Sequence, residues 1–414
     1  MTSDTFPELA WIDDQREQLL DRLQKWASLH SGTLNRGGLA RMTEELAQSF
    51  AGLEAEVDRI DLPPMRMVDA DGDMTDTPLG QALSLVKRPD APRRVLLCIH
   101  MDTIHAADRE LAPPTIDQDK LYGPGVADAK GGLVVMLAAL QALEQSDAAE
   151  NIGWEVLINP DEELGSPGSA GLLKEAAGRN DVGLVFEPTM PDGSLVSARG
   201  GSGNFTLVIR GRAAHVGREY EAGRSAVAAL AELIGQLEAL NEEVEGVTVN
   251  VGRVDGGIAP NVVPDLATAK LNVRYQELGQ EQAIEGRLQQ MVDRVNQRDG
   301  LKAELHGGIT APVKPLDEPM RTLLDHVTNC GRDLGMELSY RETRGVCDGN
   351  RLAAAGLPTL DTLGVRGGGM HTPNEYMIID SLTERARLTA LLLLRLARGE
   401  IDWPTRPRTS NATA

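Results

Sequence analysis

A chain of 414 residues, 41% of them hydrophobic and with unexceptional glycine and proline, is long enough for two or more globular domains. The formal net charge of −21, with 8 lysines against 33 arginines, argues against nucleic acids and anionic membranes as partners, and is also what a salt-tolerant source would give. Three cysteines, Cys98, Cys330 and Cys347, are too few and too unpatterned for a disulfide framework.

No apolar run approaches the roughly 18 residues of a membrane span, and the opening residues lack a basic stretch followed by an apolar one. A cytoplasmic protein without signal peptide is expected. Residues 1–12 read as a loose terminus. From Asp13 to about Leu29 the residues Leu19, Leu20, Leu23, Trp26 and Leu29 fall at helical spacing, and a second helix is expected over Leu39–Ala51. Short strands follow at Glu54–Asp61 and Gln81–Val86. Then Val95-Leu96-Leu97-Cys98-Ile99 reads as a strand buried on both faces, starting near Arg94 and ending in His100 and Asp102. Residues two apart on a strand point the same way, and a metal-ligating imidazole usually gives its other N–H to a carboxylate or carbonyl. His100 as ligand with Asp102 as its orienter would be such a pair.

The glycine-rich stretch Gly123 to Gly132 leads into a helix over Leu133–Leu143. Walker spacing is absent, so the glycines are read as letting the backbone turn sharply and aim Asp128 inward, not as a phosphate cradle. A strand at Trp154–Asn159 ends in Pro160-Asp161-Glu162-Glu163, a helix covers Ser169–Ala177, and a strand at Val182–Phe186 ends in Glu187-Pro188-Thr189. Three strands in βαβ-like alternation thus each end in acids or histidine, where open α/β sheets carry their sites.

Near Ser194 the pattern changes. Strands at Leu195–Arg199 and Asn204–Arg210, a helix at Ser225–Leu240, strands at Val247–Val254 and Leu266–Tyr275, a helix at Gln282–Arg294 and a strand at Leu301–His306 suggest a separate α+β sandwich. It is placed at 195–311, inserted into a larger α/β domain made of 1–194 and 312–414, with Pro312 and Pro315 at the return. The first pattern resumes with a helix at Glu318–Leu334, strands at Leu338–Glu342 and Thr359–Gly364, a glycine-rich loop carrying His371, and a last helix at about Ser381–Arg398.

The candidates are His100, Asp102, Asp128, Glu162, Glu163, Glu187 and His371, and two imidazoles with three carboxylates suit a pair of Zn²⁺ ions or a similar divalent metal. Asp128 could bridge two ions. A further carboxylate is needed to take a proton from water and pass it to a leaving amine. Glu162 and Glu163 are neighbours that cannot easily reach the same atom, so one as ligand and one as base is reasonable; spacing leaves open which is which.

His100-Met101-Asp102-Thr103, Gly123-Pro124-Gly125-Val126-Ala127-Asp128-Ala129-Lys130-Gly131-Gly132, Asp161-Glu162-Glu163-Leu164-Gly165-Ser166 and Phe186-Glu187-Pro188-Thr189 resemble the zinc aminoacylase/carboxypeptidase family. That family includes glutamate carboxypeptidase, acetylornithine deacetylase and succinyl-diaminopimelate desuccinylase. The resemblance extends to Gly211-Arg212-Ala213-Ala214-His215-Val216-Gly217, Asn261-Val262-Val263-Pro264 and His371.

It implies a catalytic domain with a mixed, mainly parallel sheet between helices, plus an inserted α+β dimerisation or lid domain in a homodimer. It implies two Zn²⁺ per subunit, with Co²⁺ or Mn²⁺ as substitutes. His100, Asp128 and Glu187 would hold one ion and Asp128, Glu163 and His371 the other, with Asp102 orienting His100 and Glu162 as general base and acid. His215 would reach the partner subunit's site and stabilise an oxyanion. Asn261 and Arg274 would contact the substrate, the arginine gripping its carboxylate.

The implied enzyme is a metallopeptidase-type hydrolase of N-acyl amino acids or short peptides with a free carboxylate. Rivals are a deacylase of a biosynthetic intermediate, an aminopeptidase, or a catalytically silent metal-binding protein. Two departures stand out. Ala129 follows Asp128 where relatives often carry Asp or Met, and no arginine occurs in Gly307-Gly308-Ile309-Thr310-Ala311-Pro312, where glutamate carboxypeptidases have one for the substrate carboxylate. Cys347 is read as a small buried cysteine.

Overall fold

The computed structural model describes residues 6–405. Its larger sheet has six strands in the spatial order Glu56–Asp61, Gln81–Lys87, Gly153–Asn159, Arg94–His100, Val182–Val185, Thr359–Leu360. The first two junctions are antiparallel and the other three parallel, giving the expected mixed, mainly parallel sheet.

Arg94–His100 is central, and the alternation of its side chains serves both faces. Val95, Leu97 and Ile99 join the core under the helices Arg16–Ala27, Arg36–Phe50, Lys130–Leu143 and Ser381–Arg398. Leu96 and Cys98 join a smaller cluster with Leu173, Ala176 and Leu352, from the helices Ala170–Arg179 and Asp348–Ala354. The helix Lys130–Leu143 is buried at every position but Gln141, because other helices pack round it as well as the sheet.

The N-terminal expectation needs correction. Residues 1–5 lie outside the described residues, but Pro7–Asp14 is helical, not loose. Pro7 sits in the first turn, where its missing N–H costs nothing. Leu9 and Ile12, three apart, are buried, and this helix packs on Ser381–Arg398. Thr359–Gly364 likewise shrinks to a two-residue strand, Thr359–Leu360. The strands of the hairpin Met65–Val68/Met74–Thr77, four residues each, are too short for alternation to announce them.

The second unit is a four-stranded antiparallel sheet in the order Thr248–Gly256, Leu266–Tyr275, Gly201–Arg210, Lys302–Ala311. The helices Ala226–Glu243 and Gln280–Asn296 pack on it around a separate apolar core. Leu195–Arg199, expected in this unit, instead pairs in parallel with Tyr340–Thr343. The chain crosses at Gly200–Gly201, where a Cβ on Gly201 would lie 2.2 Å from the Tyr275 ring. No helix among the described residues is long and apolar enough to cross a membrane.

The two crossings are bound to each other. Arg199 and Lys314 exchange backbone hydrogen bonds of 2.9 and 3.0 Å. Their side chains converge on the buried Asp361, with Arg199 Nε at 2.9 Å, Arg199 Nη2 at 3.1 Å and Lys314 Nζ at 2.8 Å. Asn350 Nδ2 donates to the carbonyls of Gly200 and Pro312, one on each crossing. Burial alone would raise the Asp361 pKa, but the two cations hold it below the usual carboxylate range. Removing the carboxylate strands two buried cations, so Asp361→Ala is expected to cost about 3–5 kcal/mol. Urea denaturation measures this; a loss below about 1 kcal/mol would show that water already screens the triad.

Candidate metal centre

The parallel register places the ends of three strands side by side. His100 lies opposite Asn159, and Cys98 opposite Val185. The chain therefore leaves the sheet at His100, at Pro160 to Glu163 and at Glu187 within one small region. His100 is 1% exposed. Its Nε2 is 3.1 Å from Asp128 Oδ1 and 3.8 Å from Glu187 Oε1. Its Nδ1 faces the Asp102 carbonyl at 3.1 Å and Asp102 Oδ1 at 3.3 Å.

Asp102 does more than orient an imidazole. Its Oδ1 accepts the backbone N–H of Glu162 and its Oδ2 that of Glu163, each at 3.2 Å. Thr33, which carried no sequence signal, donates its hydroxyl to Oδ2 at 2.6 Å. The acids sit on a single 3₁₀ turn, Glu162–Leu164, ended by Gly165 at φ +84°. Asp161 braces that turn from behind, accepting from Gly168 N, Ser169 N and Ser169 Oγ.

His371 arrives on the loop after Gly367–Gly368, with φ +62°, a conformation histidine tolerates better than most side chains. Its Nε2 is 3.2 Å from both Asp128 Oδ2 and Glu163 Oε2. Asp128 thus turns one oxygen to each histidine. Two trios able to hold a divalent cation result, His100–Asp128–Glu187 and Asp128–Glu163–His371, the ligand atoms of each lying within 4.8 Å of one another. Glu162 belongs to neither.

The electrostatics fit a cation. Burial pushes the pKa values of Glu162, Glu163 and Glu187 up, because charged carboxylates lose hydration there. Burial would do the same to Asp128, but His100 and His371 hold it well below the usual range. Glu187 Oε1 is buried with no hydrogen-bond partner among the described residues. Acids converging on so few positive groups, with an orphaned oxygen and a mixed imidazole and carboxylate donor set, form a site whose missing charge a divalent cation would supply.

His215, Asn261 and Arg274 lie in the second unit and share no hydrogen bond or ion pair with this cluster among the described residues. His215 is exposed, its Nδ1 accepting from Gly217 N at 3.1 Å. Val216 N donates to the Asn261 carbonyl, so these two loops lie side by side. Arg274 Nε donates to Asn272 Oδ1 at 2.9 Å, and the half-buried guanidinium makes no ion pair among the described residues. Glu375 was not foreseen; it accepts backbone N–H groups of the loop bearing Asp128. An acid in a polar loop four residues after a histidine carries no periodic signal.

A discontinuous α/β fold with paired cation trios at the carboxyl ends of parallel strands defines a metallohydrolase-type centre. The sequence matches peptidase family M20/M25/M40 over residues 96–395, and the chain belongs to that family of hydrolases. It is 28% identical to carboxypeptidase G2 of Pseudomonas sp. (strain RS-16) over 393 residues, covering 94% of this chain and 91% of that one. It is 29% identical to succinyl-diaminopimelate desuccinylase of Nitrosospira multiformis over 299 residues, covering 68% of this chain and 77% of that one. The fold is shared with the YXEP protein of Bacillus subtilis, a dinuclear metal-binding peptidase of the M20 family. The TM-score is 0.65 at 16% identity, covering 93% of this chain and 99% of that one.

Asp102→Ala should free both the His100 ring and the acid turn, lowering divalent metal affinity about 10–100-fold. A chelator competition titration would read this, and an unchanged affinity would remove Asp102 from the site. Asp128 and Glu163 raise the His371 pKa to about 10, and a protonated imidazole cannot ligate. Raising the pH removes the competing proton, so metal affinity should climb as the pH rises toward about 10, with protons released on binding. Calorimetry in two buffers of different ionisation enthalpy counts those protons; none released near pH 7 would contradict His371 as a ligand.

Proposed function

We propose that this protein is a dinuclear zinc amidohydrolase that cleaves N-acyl amino acids or short peptides bearing a free carboxylate. The observation that carries the reading is Asp128, whose two oxygens face His100 and His371, with a spare half-buried acid, Glu162, on the adjoining turn. His100, Asp128 and Glu187 would hold one ion, and Asp128, Glu163 and His371 the other. Co²⁺ and Mn²⁺, which accept the same ligands, would substitute. The dinuclear description of the Bacillus subtilis peptidase supports a count of two. Once bound, the ions supply a polarised substrate carbonyl and water acidic enough to attack near neutral pH.

Glu162 then has the proton work. Its carboxylate takes the proton from the attacking water and delivers it to the leaving nitrogen. Desolvation, which raises its pKa, suits a group that must both accept and return a proton. Asp102 keeps the Glu162–Glu163 turn and the His100 ring in register throughout.

We assign the catalytic domain to the parts of the chain before and after the insertion, and the second unit to a dimerisation and lid role. Across a homodimer, the partner's His215 would donate to the carbonyl oxygen as negative charge develops. Asn261 and Arg274 would hold the substrate carboxylate, a role supported by a guanidinium that makes no ion pair among the described residues. The acidic surface and the thiols Cys98, Cys330 and Cys347, all free and buried, agree with a cytoplasmic setting.

The second reading, a deacylase of a biosynthetic intermediate, draws support from the strand Lys302–Ala311, which has no arginine at Gly307 to Ala311 for a second carboxylate contact. A panel of N-acyl amino acids and dipeptides, each paired with its carboxylate-blocked form, tests both readings. Hydrolysis confined to free-carboxylate substrates is expected, and the best acyl group separates carboxypeptidase from deacylase. Equal rates on blocked substrates would overturn the carboxylate requirement. Glu162→Gln should keep its metal content and lose several orders of magnitude in kcat, on the scale of other removed catalytic groups. A variant with near-normal turnover would remove Glu162 as the base.

A further inference from the structure

Asp128 and His371 come from loops nearly 250 residues apart, and one side chain joins those loops. Glu375 is 5% exposed. Its Oε2 accepts from Gly125 N, and its Oε1 from Ala127 N and Asp128 N, all at 2.9 Å. Its own carbonyl accepts from Gly123 N at 3.2 Å, and its N–H donates to the Thr372 carbonyl at 3.4 Å. A carboxylate gathering several backbone N–H groups makes charge-assisted bonds, stronger than neutral ones. Glu375 lies four residues beyond His371, so this clasp fixes the His371 loop against the Asp128 loop. The pairing of Tyr376–Ile378 with Lys120–Tyr122 extends the same seam.

The other trio is held by a different device. His100 ends a strand, and the segment bearing Glu187 is tied back to the central strand by Phe186 N donating to the Cys98 carbonyl. Only Asp128 of that trio lies on a loop Glu375 touches. In the Asp128–Glu163–His371 trio, two of the three members do.

We propose that Glu375 is a positioning residue that sets the Asp128–Glu163–His371 cation position selectively, leaving the His100–Asp128–Glu187 position to the sheet. This rests on the two-cation reading above. Glu375→Gln keeps size and one acceptor oxygen but sets an amide NH₂ against a backbone N–H. Glu375→Asp keeps the charge and falls one methylene short.

The test is Zn²⁺ titration of metal-stripped full-length protein against a chromophoric chelator, with the visible spectrum of the Co²⁺-loaded protein as an activity-independent readout of geometry. Wild type should take up two ions. In either variant one ion should keep its affinity within about threefold while the other weakens about 10–100-fold, the range for lost supporting contacts. The Co²⁺ spectrum should lose one of its two components. Two ions retained at wild-type affinity in both variants, or both ions weakened equally, would overturn the proposal while leaving the dinuclear reading in place. A wild-type protein that binds fewer than two ions would overturn the dinuclear reading and this proposal with it. If one variant does not fold, the other decides.

Discussion

Mutual repulsion among crowded, poorly hydrated carboxylates is the constraint on which the rest of this structure depends. Asp128, Glu162, Glu163 and Glu187 share a poorly hydrated region with two imidazoles. Lost hydration penalises each charge, and only Asp128, between the two imidazoles, is held ionised by its neighbours. They stay together because the backbone leaves them little freedom: parallel strand ends fix where the chain emerges, and buried acids behind them, Asp102, Asp161 and Glu375, accept the N–H groups of the turns that carry them. The arrangement is held ready for positive charge by hydrogen bonds that do not themselves involve a cation. That is the preorganisation a metal centre needs, and it explains why so many of the acids in this region point at backbone and not at solvent.

A second electrostatic device does a different job. Arg199, Lys314 and Asp361 lie where the chain passes into the second unit and returns. A buried triad of this kind adds little stability over apolar packing but is strongly directional. With Asn350 donating to a carbonyl on each crossing, it specifies how the two crossings meet. His215, Asn261 and Arg274 all lie in the second unit, beyond this junction. The hairpin tip adds a further link between the units, through Arg210 to the Asp71 carbonyl and to Asp73 Oδ1.

Much of the fold could be read from the chain because its elements are strongly patterned. The apolar run Val95–Ile99 admits only a buried strand, and the acids at the ends of Gly153–Asn159 and Val182–Val185 mark sheet ends by sequence alone. Where the reading failed, the pattern was weak or the deciding contact was distant. Pro7–Asp14 is too short to show periodicity, and becomes a helix because Leu9 and Ile12 find the last helix of the chain. Leu195–Arg199 is a sound strand whose partner, Tyr340–Thr343, lies some 145 residues away, so local pattern could not assign it to a unit.

By itself the sequence determined the residue types of the site and their order: two imidazoles, the acids after strands, and a glycine-rich loop before an apolar helix. These follow from chemistry and periodicity, which are local. Tertiary structure alone decided that Asp128 turns one oxygen to each histidine, that Glu162 stands outside both trios, and that Thr33 and Glu375 support the ligands from distant loops. Such facts depend on register between strands and on hydrogen bonds between segments far apart in the chain. A hydrogen bond's direction is set by where two backbones come to lie, and no spacing along one of them encodes it.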